Sequence, residues 1–216
     1  MRRTKEAAAA TRAAILEAGL ACFDRLGIAG STLYDIAAEA GVTKGAVYHH
    51  FKGKRAILHE LREEFALPLL DAADTALLHA SDVPALERVE RFLLGVLEDL
   101  EADARKSRVL SVMLFKCEYV GDLAEVLAGN LRNSQRLVKA FEAAYAAASD
   151  EGRLAASIEP EVAALETAVF FSGLLRLWLL HGPRSALRRH TRAVIRQHVK
   201  ANAAAPAAAG RARAVA

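Results

Sequence analysis

The sequence predicts an all-α chain, and three observations carry that expectation. Of its 216 residues 53% are hydrophobic, largely because alanine recurs throughout, and alanine is the best helix former and a poor strand former. Apolar residues repeat at helical spacing along most of the chain, and no alternating pattern of useful length marks a β-strand. The punctuation between these stretches is that of helix ends: Gly27, Gly41, Lys52-Gly53-Lys54, Gly121-Asp122, Ser149-Asp150-Glu151-Gly152 and Gly182-Pro183. At about 150 residues per domain the length allows one or two domains, enough to bury a core without disulfide or metal staples. No internal repeat is visible.

The elements follow in order. Ile15, Gly19, Cys22, Phe23 and Leu26 lie on one face of a first helix, which Gly27 stops, with a loop to Ser31. Thr32 caps a short second helix, with Asp35 at the acid position of a capping box, and Gly41 ends it. Thr43 caps a third helix, Lys44 to about Phe51. The fourth carries Ile57, Leu58, Leu61, Phe65 and Leu69 on one side, and Pro68 inside it predicts a kink or break near Ala66–Pro68. Further helices are expected over Pro84–Ala104, Lys106–Tyr119, Leu123–Ala148, Pro160–His181 and Arg184–Lys200. The domains read as 1–56, 57–200, and a disordered Ala/Pro/Gly tail over 201–216.

Composition removes several classes of function. Two cysteines, Cys22 and Cys117, lie far apart, and the charged start Met1-Arg2-Arg3-Thr4-Lys5-Glu6 leads into no apolar signal core. The richest apolar run, Ala163–Leu180, is interrupted by Glu166 and Arg176, so a membrane span is not expected. A cytoplasmic protein is. The net charge of +3 is small, but its distribution is uneven. Nine basic residues face five acids through Arg55, whereas the remainder is negative by one. An excess of positive charge confined to the first quarter suits contact with phosphates, although a solvated basic surface would look the same.

The informative stretch runs from Leu33 to Phe51. Ala37 is small where a second helix must cross the first, Gly41 accepts the positive φ of a sharp turn, and Val47 is apolar and β-branched beneath the second helix. Ile36 and Val42 complete the floor. This is the pattern of a helix-turn-helix, whose second helix enters the DNA major groove by its N-terminal end. Thr43 offers a hydroxyl at that end, Lys44 is a long cation placed for guanine edges, and Gly45 and Ala46 are small enough for close approach. Tyr48, His49, His50 and Lys54 supply further polar contacts.

Ile15-Leu16, Phe23 and Gly27, then Thr32, Ile36-Ala37, Gly41-Val42-Thr43, Gly45, Val47-Tyr48, His50-Phe51 and Lys54 together resemble the DNA-binding domain of the tetracycline-repressor (TetR) family over roughly residues 12–60. The resemblance implies a homodimeric repressor with a small N-terminal three-helix DNA-binding domain and a larger all-α C-terminal domain that binds an inducer and dimerises. By the same match Thr32, Thr43, Lys44, Gly45, Tyr48, His49, His50 and Lys54 stand where family members touch DNA. The start through Arg12 and the segment Phe115–Gly121 resemble the AcrR branch, whose members repress multidrug efflux operons and leave DNA when drugs bind.

Two features of the C-terminal half extend the reading. Val109–Val120 is apolar almost all round yet holds Met113, Lys116, Cys117 and Glu118, a mixture suited to an adaptable pocket or to an ordinary core helix. With Phe170 and Trp178 these give a candidate pocket of Met113, Cys117, Glu118, Phe170 and Trp178. Ala163–Leu180 is greasy on both sides and needs two partners, one of which a second subunit would supply. Phe171, Gly173, Leu175, Val194 and Ile195 are the candidate dimer contacts. The expected signal path is helix 4, with Pro68 as its weak point.

The histidines lack partners at metal-ligand spacing, so no metal or cofactor is expected. No nucleophile elbow or phosphate-binding glycine loop is present, so no enzyme is expected either. The expected partners are double-stranded operator DNA, a small apolar or amphipathic inducer and a second copy of the chain, with no membrane. Two other readings stand beside this one: a helical protein-interaction adaptor with a vestigial helix-turn-helix, and a thiol-based redox regulator using Cys117.

Overall fold

The computed structural model describes residues 2–79, 82–119 and 121–205, and among them the architecture is all-α. The elements are α1 (Arg2–Gly30), α2 (Leu33–Glu39), α3 (Lys44–His50), α4 (Lys54–Ala73), α5 (Ala85–Ala102), α6 (Ala104–Phe115), α7 (Ala124–Asp150), α8 (Pro160–Leu180) and α9 (Ala186–Ala201). A π-helical turn at Asp74–His79 follows α4 and a 3₁₀ turn at Gly121–Leu123 precedes α7. An isolated antiparallel bridge joins Leu154 to Ala203. The disordered tail expected over 201–216 is corrected at its start, where Asn202 is buried and the Ala155 amide donates to its carbonyl at 3.0 Å; residues 206–216 lie outside the described residues.

Local chemistry explains the boundaries. At Thr32 both halves of the capping box form: the Asp35 amide donates to Thr32 Oγ1 at 3.1 Å, and the Thr32 amide donates to the Asp35 carboxylate at 2.9 Å. The Thr32 hydroxyl, donating to the same carboxylate at 2.6 Å, and then the Thr32 amide hold the Asp35 carboxyl below its ordinary range. Removing the hydroxyl with Thr32→Ala is expected to cost about 1 kcal/mol and to lower Tm by about 2–4 °C. An unchanged thermal melt would contradict this account of the α2 start. Elsewhere Asp103 caps α6 through the amides of Arg105 and Lys106. The Glu151 carboxylate accepts from the Ala85 amide at the start of α5, an anion on a helix N-terminus.

Three sequence expectations need correction. The residues beyond Gly27 to Gly30 return to helical turns in place of the expected loop, although Gly27 interrupts α1 as expected, at φ 72°, ψ 165°. The chain turns there, so Ile28 closes the core cluster and Leu26 is exposed. Second, α4 passes through Pro68 without ending, and the irregular backbone comes later, at the π-helical turn. Pro68 lies on the solvent side of α4, so the carbonyl it cannot serve is not stranded in the core. Third, α6 stops at Phe115 instead of Tyr119, and the Lys116 carbonyl accepts from the Ile28 amide at 3.2 Å, just beyond the Gly27 break.

Two apolar clusters organise these helices. The first joins Ile15, Leu20 and Phe23 of α1, Ile36 and Ala37 of α2, Val47 of α3 and Ile57, Leu58 and Leu61 of α4 to Val109, Val112 and Val126. The head therefore shares its core with α4, α6 and α7. The second gathers α5, α7, α8 and α9 around Phe92, Phe141, Tyr145, Phe171 and Trp178. Phe92 and Phe141 meet edge to face at 5.7 Å, a favoured aromatic geometry. A buried polar seam crosses this cluster: Tyr145 and Thr167 share a hydrogen bond of 2.7 Å, and Thr167 meets His198 Nε2 at 2.9 Å. With its members hydrogen-bonded to one another, the seam fixes the register of α7, α8 and α9.

Candidate nucleic-acid interface

The turn between α2 and α3 is built as the sequence requires. Gly41 has φ 65°, and the Val42 amide donates to the Ala37 carbonyl at 3.0 Å. Ile36 and Val47 are fully buried and Ala37 nearly so, which pins α3 against α2 and leaves its other side free. Thr43 Oγ1 accepts from the Ala46 amide at 3.2 Å, so its hydroxyl caps α3. Lys44, Gly45, Tyr48 and His49 are exposed along one surface, with Tyr48 53% accessible and Lys44 Nζ 5.6 Å from its ring centre. Such a large exposed aromatic beside a cation has no packing role within the chain.

Not every expected contact shares that surface. His50 is half-buried and meets His49 edge to face at 5.2 Å. Lys54 is committed elsewhere: its Nζ donates to the carbonyls of Ile28 at 2.7 Å and Ser31 at 2.5 Å, closing the C-terminal end of α1. Sequence reasoning missed Tyr34, which stands 71% exposed in the first turn of α2, next to Thr32. Its signal was legible, because an aromatic two residues before the buried Ile36 falls off the apolar floor.

The structure does not bring the five candidate pocket residues together. Met113 and Cys117 pack against the first cluster, whereas Phe170 packs against the second and Trp178 is buried within it. Glu118 is exposed at the edge of a cavity between Ile28 and Leu123. A different cleft, of about 470 Å³, runs between α4, α5 and the start of α6. Phe65, Pro68, Leu69, Phe92 and Val96 make its apolar walls, and Lys106, paired with Asp99 at 2.6 Å, closes one end. Its volume and lining fit a small amphipathic molecule.

The expected dimer contacts also divide. Phe171 and Ile195 are 4% and 0% exposed within their own chain, so they belong to its core and face no partner. Phe171 fell on the wrong side because α8 is apolar all round and periodicity cannot orient such a helix, whereas Ile195 lies on the buried apolar face of the amphipathic α9. Gly173 and Val194 are exposed and Leu175 half-buried. The accessible stripe of α8 is Val162, Leu165, Val169, Leu177 and Leu180, with Leu165 at 56% and Val169 at 66%. By length and composition α8 is apolar enough to cross a membrane, yet Ala163, Ala164, Phe171, Leu174 and Trp178 bury its other side in the second cluster.

A capped reading helix on a helix-turn-helix, carried by a larger helical domain, defines a DNA-binding transcriptional regulator. Residues 15–61 match the model for bacterial regulatory proteins of the tetR family, and residues 84–202 match that for the C-terminal region of MAATS-type transcriptional repressors. The chain belongs to the TetR family, in the branch that also holds AcrR. It is 36% identical to the HTH-type transcriptional regulator TtgR of Pseudomonas putida, over 83% of this chain and 85% of that one. Among solved structures it resembles NalD, the secondary repressor of the MexAB-OprM multidrug efflux pump in Pseudomonas aeruginosa. That match has a TM-score of 0.79 and 26% identity, covering 91% of this chain and 98% of NalD. It also resembles SmeT of Stenotrophomonas maltophilia in complex with triclosan, with a TM-score of 0.76 and 26% identity over 89% and 91% of the two chains.

Proposed function

We propose that the chain is a cytoplasmic, ligand-responsive repressor of a multidrug efflux operon, binding a pseudo-palindromic operator as a homodimer. The observation that carries this is the exposed α3 surface of Lys44, Gly45, Tyr48 and His49 above a closed apolar floor. Lys44 and Tyr48 read base edges, while Thr32, Thr43 and Tyr34 meet the phosphate backbone. The domains divide as 1–56 for reading DNA and 57–200 for ligand and partner, with α4 spanning the division. The relatives named above, repressors of efflux pumps among them, support the reading.

The inducer occupies the cleft beside Pro68. That cleft is walled by α4, and α4 also carries Ile57, Leu58 and Leu61 into the core of the reading head. A molecule that spreads α4 from α5 therefore moves the head, and it favours a dimer whose two heads no longer match the operator spacing. Gly95 lines the cleft, and a β-carbon there meets open space. Gly95→Leu is thus expected to fill the cleft without disturbing the fold. Titrated with triclosan as the first probe, this variant should need at least tenfold more compound to leave DNA, with ligand-free DNA affinity within twofold of the parent. Release at unchanged triclosan concentration would place the inducer elsewhere.

The other two readings find no support. The family match spans both halves of the chain, which leaves nothing for a vestigial head. Burial pushes the Cys117 thiol above its ordinary range, the reverse of what a redox-sensing thiolate needs.

A further inference from the structure

A second recess lies where the reading head meets the C-terminal helices. It has a volume of about 730 Å³ and opens between α1, the α3–α4 turn, α4 and α7. It shares no lining residue with the cleft beside Pro68. Arg12, Lys52, Arg55, Arg62 and Arg132 contribute to its walls, against two acids, Glu60 and Glu125.

Those acids are already engaged. Glu60 pairs with Arg12, and Glu125 pairs with Arg55 at 2.8 Å. Arg62 takes Glu63, which lies outside the recess. Among the described residues Lys52 and Arg132 then have no carboxylate, one on the head side and one on α7. Behind them Arg62 is 5% exposed, with Nη1 donating to the Val126 carbonyl at 3.1 Å and Nε without a partner. Gly129 makes room for this guanidinium, since a β-carbon there would collide with Nη1. Cations in a walled recess focus a field on whatever anion enters, and guanidinium groups match phosphate oxygens.

We propose that this recess binds a phosphate group, held by Lys52 and Arg132 in front of the buried Arg62. Because one wall belongs to the head and the other to α7, the bound group ties the two together and is coupled to operator binding in both directions. The phosphate has two sources, a free phosphate-bearing anion or the DNA backbone flanking a half-site. His50 of α3 lines the same recess.

Calorimetry of the full-length, DNA-free protein with inorganic pyrophosphate at low chloride tests the free source without relying on operator binding. One anion should bind per chain, about tenfold more weakly in Arg132→Ala and more tightly in Glu125→Gln, which frees Arg55. Arg132 is exposed, so its variant keeps the fold, as a thermal melt verifies. If DNA is the source, pyrophosphate gives no heat, and Arg132→Ala weakens binding to an operator extended by one helical turn on each side but not to the minimal duplex. The proposal is overturned if pyrophosphate binds with Arg132→Ala unchanged. It is equally overturned if pyrophosphate gives no heat and the variant treats both duplexes as the parent does.

Discussion

Replacing Lys44 and Tyr48 together by alanine is expected to weaken operator binding about a hundredfold, from the loss of two groups each worth about 1–3 kcal/mol at base edges. Both side chains are exposed, neither contributes to the apolar floor beneath α3, and both positions change to a good helix former. The thermal melt should therefore stay within a few degrees while affinity collapses. Anisotropy titrations at several salt concentrations separate the two contributions. A base-reading residue changes affinity at every salt, whereas loss of a phosphate contact also flattens the log–log salt slope by about one unit. A loss below threefold in the double variant would remove α3 as the reading element.

The second large effect concerns assembly. Leu165→Glu with Val169→Glu places two carboxylates on the accessible stripe of α8, where the parent exposes leucine and valine. If that stripe is the subunit interface, the variant sediments as a single chain of 23.2 kDa, because like charges are then forced together in an apolar contact. Operator affinity should fall about a thousandfold, since each head then binds without the effective concentration its partner provides. Both positions are exposed within the single chain, so the fold should be kept, while the melt shifts down and loses its dependence on protein concentration as the partner's contribution is removed. A parent that sediments as one chain, or a variant that still pairs, would move the interface off α8.

How much of this was legible beforehand depended on which physical constraint was local. The head was readable almost residue by residue, because a capping box, a positive φ at Gly41 and a small residue at Ala37 act within a few residues of one another. Lys54 reads from sequence as a DNA contact because a cation near a reading helix looks like a phosphate ligand. Its true partners are the carbonyls of Ile28 and Ser31, more than twenty residues earlier, which no spacing rule reveals.

The C-terminal half resisted for a related reason. α8 is apolar on every side, so its sequence cannot say that Phe171 faces the core of its own chain while Val169 faces out. The cleft beside Pro68 is formed by α4, α5 and α6 together. Phe65, Leu69, Phe92 and Val96 look like ordinary core positions until the three helices are placed side by side. Pro68 predicts a break that does not form, because a proline on the solvent side of α4 strands no buried carbonyl.

The central claim is that two copies of this chain read an inverted repeat, and selection of the purified protein against a random duplex library tests it most directly. The account predicts enrichment of a pseudo-palindrome whose half-site centres are roughly 34–36 Å apart. The winning duplex should be bound by two chains, and its affinity should fall steeply as salt rises. No enrichment at low salt from protein with Lys44 and Tyr48 intact, or an enriched site bound by one chain without salt dependence, would contradict it.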